Sequence, residues 1–170
     1  WFIFGLPKAF WIMQGNINKA NIEYFSLDFD FHNVSILRKI IGHSGFHRIE
    51  KEIAKQREKA DYYIRKLEGL AGIKIIKEQP GNRASYSFVT MIFEKIEKKK
   101  RFFEIFENSG LGVSQIYGAP ITEYDYLKGI IPEGNCPGAE YLAEREVTLS
   151  TSMFIKEAEM DKLIKYIIKL

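Results

Sequence analysis

The chain has 170 residues, 46% of them apolar, and 28% charged residues that leave a formal net charge of +3. This suits one domain with a real core, or one compact domain with a long appended element, and argues against disorder except at the ends. The mild charge lacks the concentrated positive field of a dedicated nucleic-acid binder. The lone Cys136 can form neither an internal disulfide nor a thiolate metal site, so a reducing, cytoplasmic setting is the default.

The opening stretch, Trp1 to Met13, is the most apolar in the sequence. It falls short of the ~20 residues a membrane span needs, and Pro7 and Lys8 interrupt it. It also lacks the basic leader and small-residue cleavage site of a signal peptide. Trp1, Phe2, Phe4, Phe10 and Trp11 crowd together as aromatics do inside a protein or an interface. A buried hairpin or helix of this domain is one reading. The expectation is the other, a fragment of a larger protein in which Trp1 to Met13 are covered by another chain.

Gly15 to Asn33 are broken by Asn, Gly and Asp and read as loop, with a short strand at Tyr24 to Phe29. From Ser35 to Leu67 the apolar residues recur at the helix period, beginning Ile36, Leu37, Ile40, Ile41. Ser35 or Asn33 suits the cap and Gly69 the end. Such a helix is about 50 Å long at ~1.5 Å per residue, too long for a small domain, and the two glycines of "GHSGFH" make Gly42 to His47 the expected break, near Gly42 to Gly45. Strands are expected at Ile73 to Ile76, Ser85 to Phe93, Leu111 to Gly118 and Glu146 to Leu149. Helices are expected at Lys98 to Asn108, Ala139 to Glu144 and Lys156 to Lys169, with a long loop from Ala119 to Gly138. The predicted fold is α+β: a small, mostly antiparallel sheet of three or four strands with helices on one face, preceded by a long helix. Residues 1–34 then form a remnant and linker, 35–68 the connecting helix, and 69–170 the small domain.

No stretch carries a complete catalytic constellation. His43 and His47 stand four apart, the spacing of a helical zinc pair, but the HExxH glutamate is missing and Gly45 weakens the helix. They are read as surface histidines, and no metal is expected. The run "EKIEKKKRFF" from Glu94 is read as a solvated first turn followed by a core face, rather than as a phosphate-contacting surface. No phosphate-loop motif is present.

The ending, "PGAEYLAEREVTLSTSMFIKEAEMDKLIKYIIKL" from Pro137, resembles the closing segment of the DegT-like sugar aminotransferases, pyridoxal-phosphate enzymes of fold type I. Pro137, Ala139, Glu140, Leu142, Ala143, Arg145, Leu149 and Ser150 keep the order and spacing of that family's closing run. "SGLGVSQIYGAPI" from Ser109 is similar to its strand and loop, with Tyr117 at the family's tyrosine, and Ile49 to Ile75 are similar to its helix and following strand.

The resemblance covers Asn33 to Leu170 and implies a C-terminal small domain. By it, Tyr117 is a substrate-side residue, and His32 and Asn33 stand in for an asparagine that approaches the cofactor phosphate of the neighbouring subunit. Phe31 occupies that asparagine's own place, and "LSTSM" replaces a proline-containing loop. The family's Schiff-base lysine belongs to a larger N-terminal domain, in a Ser-Phe-x-x-x-Lys run that this sequence lacks. No catalytic residue is therefore assigned here, and no pyridoxal phosphate is expected on this chain alone, although the parent would use it. The implied parent is a cytoplasmic, dimeric transaminase acting on a nucleotide-linked ketosugar with an amino-acid donor, without nucleic-acid or membrane partners. The alternative is a non-catalytic α+β module, related to that domain, that binds a ligand or partner. An RNA-binding sheet is a weaker third, because "SYSFVTMIF" lacks the basic-Gly-aromatic order of such sheets.

Overall fold

The computed structural model describes residues 33–132 and 134–170. Trp1 to Met13, the strand expected at Tyr24 to Phe29 and His32 lie outside the described residues.

Ser35 caps helix α1 (Ile36–Phe46), its Oγ accepting the Arg38 amide at 3.3 Å. Gly42 and Gly45 lie inside α1. The interruption comes at His47 and Arg48, where the Arg48 N–H turns back to the Gly45 carbonyl, and helix α2 (Ile49–Leu67) begins next. The interruption falls at the C-terminal end of the expected Gly42 to His47 stretch, past both glycines. A glycine lowers helix propensity by about 1 kcal/mol but forces no departure from helical φ, and neither of these two leaves the negative-φ half.

The helices differ in what holds them. Helix α2 buries Ala60, Tyr63 and Leu67 and ends before Gly69 at φ +77°. Helix α1 buries nothing among the described residues, and Ile36, Leu37, Ile40 and Ile41 are all exposed. Helices this short are marginal without an apolar face packed on something.

Strand β1 (Ile73–Ile75) leads through a loop to β2 (Phe88–Phe93). The sequence places the start of β2 at Ser85, but Tyr86 sits at φ +52°, which an extended strand does not admit. The Tyr86 hydroxyl accepts the Glu78 amide at 2.8 Å, and the Arg57 guanidinium lies over its ring. Helix α3 (Ile96–Phe106) follows, then a short β3 (Val113–Ser114) and two 3-10 turns, Ile121–Glu123 and Asp125–Leu127. Helix α4 (Pro137–Arg145) takes Pro137 in its first turn, where a missing N–H costs nothing. It runs straight into β4 (Glu146–Ser150), and α5 (Glu157–Lys169) closes the fold.

The four strands form one antiparallel sheet in the order β1-β2-β4-β3. Val89 pairs with Leu149 and Met91 with Val147, so their side chains share one face, as strand alternation requires. That face meets Ala60, Tyr63 and Leu67 of α2, Phe102 and Phe106 of α3, and Met160, Leu163, Ile164 and Ile167 of α5 in a single core. At roughly 1.5–3 kcal/mol per buried large apolar side chain, the four from α5 make the last helix an integral layer. The opposite face carries a row of hydroxyls, Thr90, Thr148 and Ser114, set side by side by the register. Thr148 is fully buried, and its Oγ1 meets the Ser114 Oγ at 2.8 Å.

Candidate functional site

Tyr117 lies two residues past Gln115 in the segment that leaves β3. The way into that segment is narrow. Gly112, at φ +69°, accepts the Ser150 N–H on its carbonyl at 2.8 Å, and a Cβ built on it would stand 2.4 Å from the Ser150 Cβ. Only glycine meets both demands.

Beyond β3 a polar knot fixes the chain. Gln115 donates from Nε2 to the carbonyls of Tyr117, at 3.0 Å, and Ala143, while its Oε1 accepts from Lys99 Nζ at 2.7 Å. An ammonium can only donate, so Lys99 sets the amide's orientation. Ala143 is in the last turn of α4, whose carbonyls have no helical partner. One side chain therefore ties the C-terminal turn of α4 to the backbone of Tyr117.

Lys99 is nearly buried, at 8% exposure, and its Nζ lies 4.9 Å from the Phe103 ring centroid. Desolvation, and secondarily the charge of Lys100, pushes its pKa below the usual lysine value. Glu146, equally buried at the start of β4, is pushed up by desolvation, with Lys99 opposing the shift. Burial thus works against the charged form of both groups, and the charge of each opposes the other's shift.

The Tyr117 side chain itself is 64% exposed. The loop beyond it is organised: the Tyr124 and Tyr126 rings stack at 5.7 Å, Leu127 is buried, and Lys128 reaches Asp125 at 2.6 Å. The arrangement presents the exposed Tyr117 phenol, able to donate and accept a hydrogen bond, on a backbone fixed by Gln115.

The turn between β4 and α5, where "LSTSM" stands, is held from α2. Lys59 Nζ donates to the carbonyls of Ser152, at 2.5 Å, and Ile155, at 2.8 Å. The Ser150 and Ser152 hydroxyls accept the amides of Ser152 and Phe154. Desolvation also lowers the Lys59 pKa, with Lys55 adding to it.

Asn33 lies exposed ahead of the Ser35 cap. Within the described residues no hydrogen bond joins it to Tyr117, and the two belong to separate parts of the fold. His32 lies outside the described residues. Sequence reasoning missed Lys99, Gln115 and Lys59. For Lys99 a signal existed: Phe102, Phe103 and Phe106 follow at three, four and seven residues, which puts the lysine on the same helix face. Reading the basic run as solvated holds for Lys100 and Arg101 but not for Lys99. Gln115 and Lys59 act through backbone carbonyls, which leave no residue pattern to find.

Among the described residues no helix is long and apolar enough to cross a membrane. A family model, the DegT/DnrJ/EryC1/StrS aminotransferase family, matches residues 33–168. Solved structures share the fold. An aminotransferase TlmJ from Streptoalloteichus hindustanus is 20% identical with a TM-score of 0.70, over 85% of this chain and 39% of its own. S. venezuelae DesV, in complex with a ketimine intermediate, is 17% identical with a TM-score of 0.71, over 89% and 41%. Helicobacter pylori PseC, an aminotransferase of pseudoaminic acid biosynthesis, is 15% identical with a TM-score of 0.70, over 89% and 42%. The chain thus spans about two fifths of the length of these relatives. No curated protein sequence matches it.

Proposed function

This chain belongs to the DegT/DnrJ/EryC1/StrS aminotransferase family, and from that premise we propose that it is the C-terminal part of a pyridoxal-phosphate transaminase that aminates a nucleotide-linked ketosugar. The observation that carries the reading is the family match over Asn33 to Ile168 taken with the Tyr117 segment, which Gln115 and Lys99 hold in place. In this role Tyr117 offers its phenol to the substrate, and the small domain forms the wall that shields the reacting groups from water. The amino donor is an amino acid, and the working assembly is a cytoplasmic dimer in which the Asn33 region meets the neighbouring subunit. The exposed Ile36, Leu37, Ile40 and Ile41 of α1 favour such a covered setting.

The cofactor's aldehyde is held by a different part of the parent. It needs an amine free to condense with it. The two described lysines whose pKa is lowered by desolvation are Lys59 and Lys99, and both spend their protons on protein oxygens. Neither fits the role, so the part described here contributes shape and substrate contacts.

The test is made on the polypeptide extended upstream to the length of its relatives. Amino transfer from glutamate to a nucleotide-linked 4-ketosugar is followed by mass spectrometry. Transfer that falls in Tyr117→Phe, with the variant still folded, supports the reading. A folded, cofactor-loaded protein that aminates no ketosugar refutes it.

A further inference from the structure

The histidines of α1 carry an inference outside the aminotransferase role. The sequence argued against ligation because the HExxH glutamate is missing and Gly45, between the two histidines, weakens the helix. Instead α1 runs through both glycines, and His47 keeps right-handed helical dihedrals at φ −64° and ψ −13°. The two side chains therefore share one face, as residues four apart on a helix do. Their Nε2 atoms stand 3.2 Å apart, with ring centroids at 4.7 Å and planes at 87°. Both residues are exposed, and their Nε2 atoms face one another.

We propose that His43 and His47 form a two-nitrogen chelate for a zinc-class divalent cation, with water in the remaining positions. The spacing carries the argument. Two nitrogens, each ~2.0–2.1 Å from a tetrahedral ion, stand about 3.3 Å apart, and the pair is already at that separation. With a proton on each Nδ1, both Nε2 lone pairs are free for the metal. Imidazole donors select zinc, nickel and copper over magnesium and calcium, which take oxygen.

Among the described residues nothing covers the pair, which shares its helix face with Ile36 and Ile40 and is therefore open to metal in the 170-residue chain rather than in the covered assembly. Glu50, the nearest carboxylate in sequence, is bound to Arg83 at 2.7 Å. Among the described residues no group of three or more His, Cys, Asp or Glu side chains converges. Lys39 and Lys51, one turn to either side, carry like charge and limit the affinity. A metal bridging His43 and His47 would also staple the C-terminal part of α1, where Gly42 and Gly45 lower helix propensity.

Zinc chloride titrated into the 170-residue chain tests the proposal, by calorimetry and far-ultraviolet circular dichroism together. The expected result is one ion per chain with a gain in helical signal. His43→Gln and His47→Gln should each weaken binding by more than about tenfold, beyond the lower end of the loss seen on removing a mere outer-shell partner. His32→Gln and Cys136→Ser, which remove other possible donors, should leave binding unchanged. No zinc binding by the unsubstituted 170-residue chain, undiminished affinity in either His43→Gln or His47→Gln, or loss of binding in His32→Gln or Cys136→Ser overturns the proposal.

Discussion

Replacing Gly112 by alanine tests how the Tyr117 segment is set, and its cost has two separable parts. At φ +69° an L-residue loses roughly 1–2 kcal/mol in the left-handed region. The new methyl would also stand 2.4 Å from Ser150 Cβ. That atom is fixed by a backbone that pairs with Phe88 and bonds the Gly112 carbonyl, so relief requires moving strand β4. Forced overpacking of this kind costs about 1–3 kcal/mol. The total is about 2–5 kcal/mol, and at about 2–4 °C per kcal/mol for a chain of this size the Tm falls by roughly 4–20 °C. Gly81→Ala is the control, because Gly81 has φ +83° and open space around it, so only the conformational part applies. Urea and thermal unfolding, followed by circular dichroism, should therefore rank Gly112→Ala well below Gly81→Ala. In a Ser150→Gly background, where the obstructing Cβ is gone, the Gly112→Ala loss should shrink to the Gly81→Ala value. Equal losses at the two glycines, or no coupling to Ser150, would refute the close-approach argument.

Lys99→Met should release the Gln115 amide. Hydrogen exchange should then speed up at the Ile116 to Gly118 amides while the α5 amides keep their protection, and unchanged exchange there would mean that Lys99 does not hold the segment. Glu78 is held down at about 2 from its usual 4.5, first by the Arg57 hydrogen bond and then by the Ala84 amide. A folded-state pKa below the unfolded one gives stability that is fully present above pH 4.5 and is lost as pH falls through about 2. Arg57→Met should therefore flatten the acid limb of the stability profile between pH 4.5 and 2, and an unaltered slope would remove Glu78 from the account.

Where the sequence was readable, one periodic signal dominated. Met160, Leu163, Ile164 and Ile167 repeat every three or four residues, and they are the residues α5 buries. Val89, Met91 and Phe93 alternate and fill the sheet's inner face. Tyr86 broke the pattern, because its aromatic character suits a strand while a positive φ, fixed by contacts from Glu78 and Arg57, withdraws it from the ladder. The helix break comes just past the two glycines because glycine lowers propensity without dictating geometry. The knot of Lys99, Gln115 and Ala143 joins three elements far apart in sequence through a carbonyl that any residue would supply. Motif resemblance pointed to Tyr117 but not to the side chains that hold its backbone.

The strand order has a consequence for how the domain comes into being. Strand β4 is the last of the four to be made, yet it lies between β2 and β3. Before Glu146 leaves the ribosome, β2 has only the three residues of β1 to pair with, and an isolated two-stranded ribbon is marginal in water. Strand β3 has no partner at all in the sheet until then. Val89, Met91 and Phe93 are thus synthesised well before the strand that completes their face. Closure is a single late event, with pairs such as Val89 and Leu149 joining across a long stretch of chain, the kind of distant pairing that slows folding and exposes intermediates to aggregation. A chain arrested at Arg145 lacks the strand that joins β2 to β3 and is not a smaller version of the same domain.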